Sequence, residues 1–187
     1  MKEYLSNTYL CLIRGINVGE NNRVPMTELK TCLEEVGYQN VRTYIASGNV
    51  IFESDKSAQD LTNEIQQLLP KKFKLSSDLV KVLILTHDQL KDVVDQAPKS
   101  FGTEPSKYHS DAIFLIGVSA DDAIKVFDPR VGVDEVWPGN GVIYSQRLSE
   151  LRTKSRLSKI MISPLYKSMT IRNWNTTTKL LELMNSK

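Results

Sequence analysis

The sequence predicts an α+β fold made of two ferredoxin-like halves, each a βαββαβ unit with an antiparallel sheet, followed by a C-terminal helix. Three observations predict it. Hydrophobic patterning runs strand, helix, strand, strand, helix, strand from Thr8 to Leu85. The same order of patterns returns after a stretch holding Pro98, Gly102 and Pro105. The chain of 187 residues has room for two such units, and its 41% hydrophobic and 25% charged residues suit packed cores rather than a disordered chain.

The first half opens with Thr8 to Arg14, an apolar β-rich run, and a polar loop with glycines at 15 and 19. Pro25 suits a first helical position, and Met26, Leu29, Leu33 and Val36 recur at helical spacing until Gly37. Val41 to Ala46 and Asn49 to Ser54 read as strands joined by a tight turn at Ser47-Gly48. Ser57 can cap a helix with the stripe Leu61, Ile65, Leu68 and Leu69, which Pro70 is expected to break. Leu79 to Leu85 supplies the fourth strand, and a helix over Asp88 to Gln96 trails it.

In the second half, Asp111 to Gly117 reads as a strand, Ser119 caps a short helix over 120–127, and Asp134 to Trp137 and Val142 to Gln146 flank a turn at 138–141. Ser155 to Ile162 is expected to be helical and Tyr166 to Arg172 extended. A last helix over Thr176 to Met184 would take Asn175 as its N-cap. The expected organisation is residues 1–97 as the first subdomain with its trailing helix, 98–109 as linker, and 110–187 as the second subdomain with the terminal helix.

The N-terminal apolar run is short and ends at Arg14, so it reads as neither a signal peptide nor a membrane span, and a cytoplasmic protein with no membrane partner is expected. Cys11 and Cys32 lie in apolar patterns and read as buried small hydrophobes. With two separated cysteines and two histidines, no metal-ligand spacing exists, and no metal or cofactor is implied. His87, at a helix entry, and His109, ahead of a strand, read as surface or capping histidines. No Gly-x-Ser-x-Gly turn is present, so no catalytic residue is named and enzymatic activity stays open. A homo-oligomer also stays open, with no feature pointing to one.

Polar residues cluster in two places. In strand order 4-1-3-2, the end of the first strand and the turn between the second and third share a rim. That rim would gather Arg14, Asn17 and Arg23 with Ser47 and Asn49, next to glycines 15, 19 and 48, with Glu20 the single carboxylate. Such donors suit an anion; turn geometry alone would also account for the glycines. From Arg147 to Lys179, eight basic residues face one acidic residue, Glu150, a local charge of +7 in a chain of net +2. Segregation of this kind suits a phosphate-rich partner, a nucleic acid or a nucleotide, although a solvated face reads the same way. Within the segment, Arg172, Asn173, Thr176 and Lys179 surround the start of the last helix and could hold an anion, with Trp174 either a stacking plane or a core plug.

The blocks YLCLIRGINVGENNRVPMTELKTCLEEVGYQNVRTYIASGNVIFES (9–54) and SRLSKIMISPLYKSMTIRNWNTTTKLLEL (155–183) resemble the bacterial domain-of-unknown-function family 1697. The resemblance implies ferredoxin-like subdomains and carries no activity or site assignment. Three functions are therefore weighed: binding of a phosphate-rich ligand through the basic segment; an enzyme in which Arg14 and Arg172 orient an anionic substrate while a hydroxyl, an amide or Asp111 assists proton movement; and an interaction module that uses an exposed sheet face or edge.

Overall fold

The computed structural model describes residues 7–19, 22–76 and 80–186. The chain divides into two compact units, one of Met1–Leu90 with Leu180–Lys187 and one of Lys91–Lys179. Each holds a four-stranded antiparallel sheet with the same strand order, so the expected pair of ferredoxin-like halves is present. Among the described residues no helix is long and apolar enough to cross a membrane.

In the first unit, β1 (Asn7–Arg14), β2 (Gln39–Tyr44), β3 (Asn49–Ser54) and β4 (Lys81–Thr86) are ordered β2-β3-β1-β4. The expected start of the last strand at Leu79 lies outside the described residues. Tyr9, Cys11 and Ile13 of β1 share one face, because side chains alternate along a strand. On that face they meet Leu29 and Leu33 of α1 (Met26–Glu35) and Leu61, Ile65 and Leu69 of α2 (Ala58–Lys72). Both cysteines are buried and unbridged, as their apolar settings suggest. Ser57 caps α2, its Oγ accepting from the Asp60 N–H at 3.1 Å. Pro70 does not end α2, which runs on to Lys72. Proline's fixed φ is compatible with helix, so what it removes in a last turn is mainly one hydrogen bond.

In the second unit, β5 (Tyr108–Leu115), β6 (Asp134–Gly139), β7 (Val142–Leu148) and β8 (Met169–Asn173) are ordered β6-β7-β5-β8. The helical layer departs from expectation. The segment after Ser119 forms a four-residue α4 (Ala120–Ala123) and a 3₁₀ turn, and Ser155 to Ile162 is no α-helix. Three 3₁₀ segments span Ser149–Lys154, Leu157–Ile162 and Pro164–Ser168. The cause is local competition: Ser155 Oγ accepts from the Leu157 N–H at 3.3 Å and Ser163 Oγ from the Leu165 N–H at 3.2 Å. Such side-chain bonds offer the backbone turns in place of a helix. The core nevertheless closes, with Leu157 and Ile160 joining Ile113, Leu115, Ile143 and Met169. The remaining helices are α3 (His87–Asp95) and α5 (Trp174–Asn185). Asn173, rather than Asn175, caps α5: its Oδ1 accepts from the Asn175 N–H at 3.1 Å.

The other face of the second sheet carries an aromatic cluster. Phe101 lies 5.4 Å from Tyr144, 5.0 Å from Trp174 and 5.9 Å from Trp137, centroid to centroid and edge to face. Trp174 is thus a core plug, 8% exposed. Gly102, at φ +71°, lets the backbone touch it: a Cβ there would sit 2.0 Å from Trp174 Cδ1. Gly102→Ala is expected to destabilise the protein by about 2–4 kcal/mol, combining overpacking with left-handed strain. Urea unfolding followed by tryptophan fluorescence checks this, and a midpoint equal to the parent's would contradict it.

Candidate functional site

The rim of the first unit comes together as the sequence suggests, and its amides bond within the protein. Asn17, at φ +54°, joins both loops. Its Nδ2 donates to the carbonyls of Val24 (2.9 Å) and Ala46 (2.8 Å), while its Oδ1 accepts from the Val24 N–H at 2.8 Å. Asn49, fully buried, donates to the Tyr44 carbonyl at 3.1 Å and to Ser47 Oγ at 2.9 Å. Asn22, which sequence reasoning did not single out, repeats the device: it donates to the Gly15 carbonyl at 2.9 Å and accepts from the Ser76 N–H at 2.7 Å. Gly48 fits under β1, its carbonyl accepting from the Ile13 N–H at 2.8 Å. A Cβ at Gly48 would lie 2.6 Å from the Ile13 carbonyl oxygen. Arg14 ends β1 half-buried, Arg23 is exposed, and Glu20 lies outside the described residues.

Two larger depressions of the first unit, about 330 and 350 Å³, each have one lysine in the wall, and that lysine is already paired. Lys72 meets Glu35 at 3.4 Å beside the first, and Lys56 meets Glu64 at 2.8 Å beside the second.

The second unit differs, because one end of its sheet carries ionisable groups. His109 and Asp111 alternate onto the same face as Ile113 and Leu115, past the end of the apolar core. Cross-strand pairing sets Arg147 between Asp134 and His109, and sets Asp111 between Ser145 and Asn173. His109 Nε2 lies 3.1 Å from Asp111 Oδ2. Burial pushes the Asp111 carboxyl above the usual carboxylate range, while His109, Arg147 and a hydrogen bond with Asn173 pull the other way. Asp134 is buried and its Oδ2 accepts from the Arg130 and Arg156 N–H groups at 3.0 and 2.8 Å.

Beside this row lies a pocket of about 180 Å³, lined by Tyr108, His109, Ser110, Asn173, Trp174 and Asn175, with Gly102 and Pro105 closing it. Asp111 was visible to sequence reasoning as a proton-moving residue, whereas His109 was not. The signal was there, since a histidine and an aspartate two residues apart on a strand face the same side.

The basic segment is divided by the fold. Arg156 and Lys159 both pair with Asp128, at 3.2 and 2.9 Å. Arg172 is 7% exposed, and its Nη1 donates to Thr170 Oγ1 at 3.0 Å and to the Ile171 carbonyl at 2.8 Å. Thr176 is half-buried in the first turn of α5, and Lys179 is exposed farther along it. Asn173, besides capping α5, donates from Nδ2 to the Ser110 carbonyl at 3.1 Å. Arg152, Lys154 and Lys167 are exposed and make no ion pair with a described carboxylate.

The asparagine bonds of the rim allow a direct test. Asn17→Ala is expected to cost about 2–3 kcal/mol, since it strands two carbonyls and an N–H and forces alanine to positive φ. Arg23→Ala, on the same rim but exposed, is expected to change stability by less than about 0.5 kcal/mol. Chemical unfolding of both variants checks this; equal stabilities would contradict the bracing role of Asn17.

Comparison with known proteins places this architecture. No curated protein matches the chain. Among solved structures, the conserved bacterial protein SP0830 from Streptococcus pneumoniae is similar, with a TM-score of 0.82 and 25% identity over 96% of this chain and 99% of that one. The profile of a family described as "Protein of unknown function (DUF1697)" matches residues 6–144, which cover the whole first sheet and β5 to β7 up to Tyr144. With that match extending over most of its length, the chain belongs to the DUF1697 family.

Proposed function

We propose that the protein binds a phosphate-rich ligand, a nucleic acid or a nucleotide, through the segment from Ser149 to Ser168. The observation that carries this reading is the set Arg152, Lys154 and Lys167. All three are exposed, Arg152 and Lys154 on the first 3₁₀ segment and Lys167 on the third, with no described carboxylate in ion-pair reach. Lysine and arginine held this way keep their counterions until a phosphate displaces them, and that release favours binding at low salt.

Short 3₁₀ turns suit the role, because successive side chains project in different directions without the rigid spacing of one long helix. Arg156 and Lys159 add less, since Asp128 already neutralises part of their charge. Arg172 and Asn173 are engaged within the fold, Arg172 bonding the β8 backbone and Asn173 capping α5.

Fluorescence anisotropy with a labelled single-stranded oligonucleotide, repeated over a series of salt concentrations, tests the proposal. Affinity is expected to fall steeply with salt. The variant R152A/K154A/K167A should weaken binding at low salt and make the log–log slope shallower by about 2. Arg172→Ala is a poor probe, because it would report on packing. No binding at low salt, or an unchanged slope in the triple variant, would overturn the proposal.

A further inference from the structure

The pocket beside β5 holds an arrangement that the basic segment does not use. With Asp111 ionised, a carboxylate oxygen 3.1 Å from His109 Nε2 favours a ring hydrogen on that nitrogen over a bare lone pair. In the neutral ring this leaves Nδ1 with a bare lone pair, and no described residue donates to it. The carboxylate side chain is 15% exposed and the imidazole 42%, so the orienting group is sheltered while the oriented one reaches the pocket wall. Asn173 completes the row: it is the cross-strand neighbour of Asp111, and its Nδ2 donates to the Ser110 carbonyl at 3.1 Å.

The remaining walls define what such an acceptor would meet. Tyr108 and the small exposed part of Trp174 supply aromatic surface, and Ser110, Asn173 and Asn175 supply short polar groups. Aromatic rings receive the C–H face of a sugar, while amides and a ring nitrogen receive its hydroxyls. A volume of about 180 Å³ lies below the range of pockets that enclose drug-sized molecules, which leaves room for a single small ring or a short polyol. With an accepting histidine and no lysine or arginine lining it, the pocket favours a neutral hydroxylated ligand over a phosphate.

We propose that this pocket binds a pentose-sized sugar or polyol, with His109 Nδ1 accepting a hydrogen bond from a ligand hydroxyl and Asp111 and Asn173 acting as positioning residues. The proposal is independent of the basic segment. It requires neither Arg152, Lys154 nor Lys167, and oligonucleotide binding bears on neither its success nor its failure.

Nitrogen-15 NMR of the full chain tests it, since the protein has two histidines and their ring signals can be assigned by substitution. In the native protein His109 is expected to be the Nε2–H tautomer, and its ring signals should shift saturably on addition of D-ribose while those of His87 stay in place. Asp111→Asn should populate the Nδ1–H tautomer and weaken ribose binding roughly three- to tenfold, the worth of one hydrogen bond. If that variant fails to fold, His109→Phe decides, because it keeps a ring in place without the lone pair and should abolish the ribose response, read from Trp174 indole shifts. A native Nδ1–H tautomer, or no ribose-dependent shift at the solubility limit of the sugar, would overturn the proposal.

Discussion

The structure depends on one constraint: in each sheet one of the two central strands, β1 or β5, has an apolar run buried on both faces. In β1 every side chain from Tyr9 to Ile13 is buried, and in β5 the same holds from Ala112 to Leu115. Each strand is hydrogen-bonded to a neighbour on either side, so its backbone groups are satisfied within the sheet and its side chains can be wholly apolar. Burial of a leucine or isoleucine side chain contributes roughly 1.5–3 kcal/mol, so a run of four or five fixes register as well as stability. A slip of one residue would carry the adjoining polar groups, Arg14 or Asp111, into a core.

This constraint decides where polar chemistry can be. It is confined to the strand ends, and the two units use those ends differently. At the end of β1 the chain turns through Gly15, Asn17 and Asn22, all at positive φ, and the asparagine side chains satisfy the loop carbonyls internally. That end is a brace. At the start of β5 the residues are His109 and Asp111, and their neighbours on β7 and β8 are Arg147 and Asn173. That end keeps ionisable groups against a pocket. The two ends are opposite ones, so the same topology carries its polar groups at a different edge of the sheet in each unit.

How far the sequence disclosed this follows from the same physics. Strands buried on both faces read as continuous apolar runs, so both sheets and their strand order were legible, as were the Ser57 and Ser119 caps. The second helical layer was not. Leu157 and Ile160 have helical spacing and are buried, yet Ser155 and Ser163 draw the backbone into 3₁₀ turns. The hydrogen-bond partners of the polar motifs lie far off in sequence: Asn17 meets Ala46, and Asn173 meets Ser110. No spacing rule reveals whether an amide faces a ligand or a carbonyl. The charge count of the basic segment likewise concealed Asp128, which precedes it in sequence and neutralises two of its members.

The most direct test of the central claim is native-state amide hydrogen exchange resolved by residue. If the doubly buried strands hold each unit together, the amides from Leu10 to Ile13 and from Ile113 to Leu115 should exchange only through full unfolding of their own unit. They should then share the highest protection within that unit, while amides of the edge strand β2 open at lower free energy. Protection of Leu10 to Ile13 no greater than that of Gln39 to Tyr44 would contradict the account.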